Sequence, residues 1–492
     1  MQNCEKHLEL ESTHSAKMTA SDNLEADLDS KRRSSHSEQI QELSLEEAEA
    51  EKRLIRKIDK RLLAPTAIIY LLCYLDRSNI GNARIMNSTT NDTMMDTNNI
   101  TNHNYTIAMM LFLVAYSIFE APSNLALKRF QPHRWLGFLV VAFGAFCTGI
   151  GFTHTYAELA ALRFLLGAAE AGVFPGMIFY FTFWYKPRER AIRIAIFLCS
   201  ATLSGAFGGA IAYGVGRLNG RQGLEGWRWL FIIEGVPSIV AGILVFFFMP
   251  SYPEKAGWLT PEEKELSARR LGAHRSAGSD KLSWEDAKAT LTDLRMYMHY
   301  LTYLTVGTGV ASLGYFAPTI IEGLGYSDLR AQLFTVPPYG IAYPITLLLA
   351  WLSDRLKTRG LIATCSSGAA CVAFIIQACL PADAFAARYA FLCISTIGVF
   401  GGLPSLNAWV GDNVRNTTAA SLTIALNIAF SGPGQIIGVW IYRAQDKPAY
   451  RLGHGVNAAM SFCSACLALG LTIYYRRLNR KMKGTDEVRW VA

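Results

Sequence analysis

Residues 62–85 read Leu62-Leu-Ala-Pro-Thr-Ala-Ile-Ile-Tyr70-Leu-Leu-Cys-Tyr74-Leu-Asp76-Arg77-Ser-Asn79-Ile-Gly-Asn-Ala-Arg84-Ile85. The uncharged run that opens this stretch is apolar enough to enter a bilayer. In a helix begun at Leu62, Asp76 lies about 21 Å along the axis, well inside a hydrocarbon core about 30 Å thick. An ionisable pair at that depth is costly and points to function. Consecutive helical residues diverge by about 100°, so Asp76 and Arg77 cannot neutralise each other side by side. Each needs a partner elsewhere or a water-filled cavity.

The rest of the chain repeats the apolar pattern. Of 492 residues, 51% are hydrophobic and only 17% charged, against about 25% charged in soluble domains. The charge is concentrated in residues 1–61, 250–295 and 476–492. Between these lie blocks of about 20 apolar residues, the length that crosses a membrane. The distribution excludes an ordinary soluble enzyme, a secreted disulfide scaffold and a disordered chain, and predicts an all-α polytopic membrane protein. Ten cysteines are present, and only Cys4 falls clearly outside an apolar block. Cys463 and Cys466 form a C-x-x-C with no second pair, so neither a metal nor any cofactor is expected. The net charge of +8 lacks any lysine-rich, aromatic-interleaved block, so no nucleic-acid partner is expected. The polar N-terminus has no short apolar core of a cleavable signal.

Twelve spans are predicted: 62–85, 105–127, 135–153, 157–183, 194–217 and 229–249, then 296–321, 332–352, 361–380, 388–411, 421–441 and 453–475. A tail (1–43) predicted to be disordered precedes an N-terminal six-helix half, residues 44–249. The polar segment 250–295 separates it from a second half, 296–475, and 476–492 form a polar tail. Lys and Arg cluster before the first span, around Lys128, Arg129 and Arg134, from Lys186 to Arg193, from Arg355 to Arg359, at Arg415 and after Arg476. The opposite loops carry few, so both termini and the central segment are expected in the cytoplasm. The first outer loop holds N-x-S/T sequons at Asn87, Asn91, Asn99 and Asn104, which predicts glycosylation. Ser44 and Glu47 suggest a capping box opening an amphipathic lead-in.

Span four supplies charges to match those of span one. Arg163 and Glu170 are seven apart, hence on one helical face two turns from each other. Asp76, Arg77, Arg163 and Glu170 sum to zero formal charge, and a neutral group of this kind is buried at far lower cost than any member alone. The same four charges could instead only fix helix packing. Tyr74, Asn79, Tyr116, Tyr315, Asn407 and Asn427 are candidate cavity-lining residues, although amides and aromatics also join helices. Glu120 and Glu234 read as structural, and His299 as interfacial.

Twelve spans with a central loop resemble the major facilitator superfamily. Asp354-Arg355-Leu-Lys357-Thr-Arg359-Gly360 after span eight is similar to its G-x-x-x-D-R-x-G-R-R loop. The matching loop after span two, Pro122-Ser-Asn124-Leu-Ala-Leu-Lys128-Arg129, lacks the Asp and glycines, a departure shared with the anion:cation symporter branch. Leu75-Asp76-Arg77-Ser78-Asn79-Ile80-Gly81-Asn82, Gly226-Trp227-Arg228-Trp229 with Glu234-Gly235, and Phe316-Ala-Pro318 with Val336-Pro337-Pro338-Tyr339 resemble the fungal allantoate and nicotinate permeases of that branch. The resemblance covers roughly residues 44–480. It implies that Arg77 binds a substrate carboxylate, that Asp76 and Glu170 couple protons with Arg163 as partner, and that Asp354, Arg355, Arg359, Gly167 and Glu234 are gating or structural. Two departures stand out: Ser431-Gly432 replaces a Gly-Asn in span eleven, and a basic residue is absent from 416–420.

The expectation is a proton-coupled symporter that imports a small organic anion by alternating access, with a nicotinate-like monocarboxylate favoured and a ureide allowed. The lipid bilayer, protons and the anion are its partners; a plasma-membrane monomer is expected. No G-x-x-x-x-G-K-[ST] loop supports ATP drive. A proton-antiport exporter of a drug or metabolite is the rival, but span five, Ser204-Gly205-Ala206-Phe207-Gly208-Gly209, lacks the proline of the exporter motif. A non-transporting nutrient sensor is a further alternative. A membrane enzyme is disfavoured because no nucleophile, base or metal-ligand constellation is visible.

Overall fold

The computed structural model describes residues 46–275, 288, 291–326, 328–414, 417–482, 490 and 491. The tail 1–43, Ser44 of the expected capping box, the centre of the polar segment (276–287), and Arg415 with Asn416 lie outside the described residues. Residues 46–58 form a helix whose Arg53 and Glu49 face each other one turn apart at 3.8 Å.

From residue 62 onward the protein is a helix bundle with no β-strand among the described residues. Its main helices are α1 (Ala64–Ile85), α2 (Asn102–Arg129), α3 (Pro132–Ile150), α4 (Tyr156–Glu170), α5 (Val173–Thr182), α6 (Pro187–Val215) and α7 (Gly226–Phe248). After the polar segment come α8 (Leu294–Gly323), α9 (Val336–Leu356), α10 (Arg359–Cys379), α11 (Phe385–Gly401), α12 (Leu403–Asp412), α13 (Thr417–Trp440) and α14 (Arg451–Lys481). Local chemistry sets several starts. Proline opens α1, α3, α9 and α12, where its missing N–H costs nothing. Thr101 and Thr155 cap α2 and α4, accepting from the Asn104 and Glu158 amides. Asp293 does the same for α8, accepting from the Arg295 amide at 2.9 Å. Burial pushes the Asp293 carboxyl up, but its bonds with Arg295 prevail and hold it below the usual carboxylate range.

Among the described residues, nine helical segments are long and apolar enough to cross a membrane. Three more helices of similar length, α1, α2 and α13, pack beside them. Phe247 and Phe248 on α7 are mostly exposed, as helix faces turned to lipid should be. Two predicted spans differ in detail from expectation. Residues 157–183 are two helices, α4 and α5, joined at Ala171-Gly172, and 388–411 are α11 and α12, joined at Gly402. The cause is proline: Pro175 and Pro404 each lie just past the break and cannot continue the i→i−4 ladder.

The helices before residue 250 pair as α3 with α7, α2 with α4 and α1 with α6; those after 293 pair as α8 with α13, α10 with α14 and α9 with α11. Contacts between the two groups run along α1–α8, α6–α9 and α2–α13. Close approach depends on glycine at specific points. A Cβ built on Gly81 of α1 would collide with the Tyr315 carbonyl of α8. On Gly167 of α4 it would collide with the Phe112 carbonyl of α2. The obstacle is backbone in both cases, so it cannot swing aside. Gly167→Ala is therefore expected to destabilise the protein by about 1–3 kcal/mol, read as a lower melting temperature of the detergent-solubilised chain.

The described residues of the polar segments carry helix and specific contacts. Residues 261–275 are helical, and Arg270 pairs with Glu189 at the start of α6 while Trp258 stacks on Trp184 at 5.8 Å. The last helix continues to Lys481, beyond its predicted end. Farther along, Trp490 and Val491 are clasped by two asparagines: Asn479 both accepts from and donates to the Trp490 backbone, and Asn413 does so to Val491. In the loop after α1, Asn91 and Asn99 are exposed. Asn87 is not a suitable glycan acceptor in this fold, because it is buried and its amide donates to the Gly216 carbonyl at 3.1 Å.

Candidate functional site

The 100° divergence of Asp76 and Arg77 is realised in the bundle. Arg77 faces a cavity of about 700 Å³, counting the space open to solvent, and also borders an adjoining compartment of about 620 Å³ on the same measure. Its guanidinium lies 5.0 Å from the Tyr74 ring, 5.0 Å from Phe112 and 4.7 Å from Tyr116, three cation–π contacts that hold it in place. Nε donates to Oε2 of Glu170 at 3.3 Å. The two terminal nitrogens meet no hydrogen-bond acceptor among the described residues. An arginine anchored through Nε, with its outer fork unspent, presents the geometry that takes a carboxylate by two parallel bonds.

Arg163 and Glu170 share a face of α4, as their spacing requires, but do different things. Glu170 is fully buried and reaches Arg77. Arg163, equally buried, donates through Nη1 to the Arg77 carbonyl at 3.4 Å, and its Nε and Nη2 have no hydrogen-bond partner. Two guanidinium groups against one carboxylate leave this cluster with one net positive charge.

Asp76 does not join it. It accepts from Ser238 Oγ of α7 at 3.0 Å and from Cys147 Sγ of α3 at 3.2 Å, on the opposite side of α1 from the cavity. The neutral four-charge assembly expected from sequence is thus replaced by a three-residue cationic cluster and a separate, neutrally bonded acid. Asn79 lies on Asp76's side of α1, donating to Oε2 of Glu234 at 2.6 Å. The structure therefore corrects the placement of Asn79: it joins α1 to α7 and is not on the cavity wall. Asn427 is buried away from the cavity wall, with its Oδ1 unbonded. Tyr74 and Tyr116 do line the main cavity and Tyr315 the second compartment. Asn407 acts indirectly, donating to the hydroxyl of wall residue Tyr303 at 2.8 Å. Glu120 is buried with neither carboxylate oxygen hydrogen-bonded.

Sequence reasoning missed Tyr303 and Gln435, both on the wall. Gln435 sits one turn beyond Ser431, and its Nε2 donates to Ser431 Oγ at 2.6 Å. The amide in the sequence run Ser431-Gly-Pro-Gly-Gln435 was the available signal.

At the other motif, Arg359 bridges two helix ends: Nη1 donates to Asp354 at 2.5 Å and Nε to Asp412 of α12 at 2.6 Å. Arg355 instead lies over the Trp351 ring at 5.1 Å. Among the described residues no group of three or more His, Cys, Asp or Glu could hold a metal.

The family model of the Major Facilitator Superfamily matches residues 66–439. The chain is 48% identical over 437 residues to the MFS transporter prlL of Fungal sp. (strain NRRL 50135), covering 88% of each. It is 34% identical over 326 residues to a putative tartrate transporter of Agrobacterium vitis, covering 66% of this chain and 71% of that protein. In fold it matches the inward-facing, unoccupied crystal structure of a bacterial homologue of the human lysosomal transporter Spinster, with a TM-score of 0.62 at 16% identity, covering 85% of this chain and 98% of that one.

Proposed function

Since the chain belongs to the Major Facilitator Superfamily and is a secondary transporter rather than an enzyme, we propose that it carries a small organic monocarboxylate together with a proton. The observation that carries this reading is the unspent fork of Arg77 beside Glu170 in the cavity. The substrate carboxylate takes the free nitrogens of Arg77 in a bidentate, charge-assisted contact. That competes with Glu170 for the same cation. A buried carboxylate that loses its cation takes up a proton rather than stay charged. Anion and proton therefore load together, and the cluster keeps one net positive charge whether empty or loaded. Asp76, bonded only to neutral groups, is a second candidate proton site.

The proposed architecture is twelve crossings in two sets of six, with both termini in the cytoplasm and the plasma membrane as location. The three further long helices and the placement of Lys and Arg support it. Within the superfamily, the first-span motif around Asp76 and Arg77 supports the anion:cation symporter branch and a nicotinate-like substrate. The Agrobacterium relative, named as a putative tartrate transporter, also points to an organic acid.

The test is uptake of radiolabelled monocarboxylates, nicotinate first, by the full chain in proteoliposomes with and without an inward proton gradient. Acid-stimulated accumulation is the expected result. Substrate movement only against the proton flow would establish the exporter instead.

A further inference from the structure

The side of α1 turned from the cavity meets an acid whose bonding is complete only when it holds a proton. Asn79 and Glu234 are both buried, at 0% and 3% exposure, and neither lines either compartment. Asn79 Nδ2 donates to Glu234 Oε2 at 2.6 Å, which leaves Asn79 Oδ1 and Glu234 Oε1 with no hydrogen-bond partner. While the carboxyl is ionised both of these oxygens are acceptors only, and two buried acceptors left bare are costly. A single hydrogen on Oε1 serves both, closing the two-bond ring that a carboxylic acid makes with an amide. Turning the amide over does not remove the need. Oδ1 would then meet Oε2, and only a protonated carboxyl could donate to it. The titratable neighbours of Glu234 include Asp76 of α1 and Cys147 of α3, and neither can offset a negative charge on it.

We propose that Glu234 is a resident proton site: a proton held between its Oε1 and Asn79 Oδ1 ties α7 to α1 and stays in place through the transport cycle. α1 and α7 belong to the same set of helices, and such sets rock as units in alternating access, so this interface has no occasion to open. Asn79 lies two residues past Arg77, so fixing its side of α1 fixes where the guanidinium aims. Glu234 thus acts on the cavity through Asn79, as a positioning residue. It differs in this from Glu170, whose proton travels with the carried anion.

The test is infrared spectroscopy of the full chain in proteoliposomes at neutral pH. The difference between the parent and Glu234→Gln should contain a protonated-carboxyl C=O band. Asn79→Leu should move that band to higher frequency, because the carbonyl loses its amide donor. If Glu234→Gln removes no such band, or Asn79→Leu leaves it in place, the proposal is overturned. A glutamine amide bonds Asn79 in both directions without a proton. Glu234→Gln should therefore keep the parent's uptake rate and its proton-driven concentrative ratio, whereas Glu234→Leu, which makes neither bond, should lose uptake. Loss of the concentrative ratio in Glu234→Gln would make the proton a carried one and overturn its residence. This uptake arm rests on the proton-symport reading. The infrared arm needs no substrate, so a parent that accumulates no acid defeats that reading while the bands still decide the site.

Discussion

Arg77→Ala is expected to lower carboxylate uptake about a hundredfold, without loss of the folded protein. The estimate follows from the site. The guanidinium is almost enclosed, at 8% exposure, and removing one member of a buried charge-assisted contact costs about 3 kcal/mol, which is about two decades in affinity. The variant also strips Glu170 of its cation, but that carboxyl can take up a proton and remain in place. Arg77→Lys keeps the charge and loses the fork. It should recover part of the activity, with a weaker and less shape-selective KM, because an ammonium binds as a point. The measurement is initial-rate uptake against concentration, normalised to protein incorporated. Uptake at the normal rate in the alanine variant would remove Arg77 from the binding site.

The second large effect concerns energetics rather than affinity. A one-to-one proton symporter can concentrate its anion about tenfold per pH unit of gradient, since each unit is worth about 1.4 kcal/mol. Glu170→Gln should abolish that concentrative ratio and leave exchange of substrate across the membrane. Glutamine can still accept from Arg77 Nε, so the arginine stays oriented while the protonatable group is gone. Retained acid-driven accumulation would transfer the coupling to Asp76, whose hydrogen bonds come from the neutral Ser238 and Cys147 and which is the next acid to replace.

Some of this site was readable from sequence because helical geometry is periodic. The 100° step separated Asp76 from Arg77, and the seven-residue spacing put Arg163 and Glu170 on one face; both hold. Which charge meets which was not readable. That depends on the rotation of α1 against α3, α4 and α7, and the groups that receive Asp76, Ser238 and Cys147, are neutral and leave no charge signal. Rotation also explains Asn79 and Asn427, polar residues in apolar helices that point away from the cavity. The two long spans broken at Ala171-Gly172 and Gly402 read as continuous because hydropathy runs through the breaks. The prolines that cause them were visible but unweighted.

The meeting of Gly81 with the Tyr315 carbonyl has a consequence for the transport cycle. A hydrogen atom is all that fills the gap at Gly81, so α1 and α8 meet backbone to backbone there in a tight seam. Alternating access requires the cavity to communicate with one side of the membrane at a time, so a contact this close between the two sets of helices must part and re-form as they rock. A side chain at this glycine would act as a wedge. It would hold the seam apart, and a carrier whose helices cannot close on each other at this point is expected to slow or stop in its cycle.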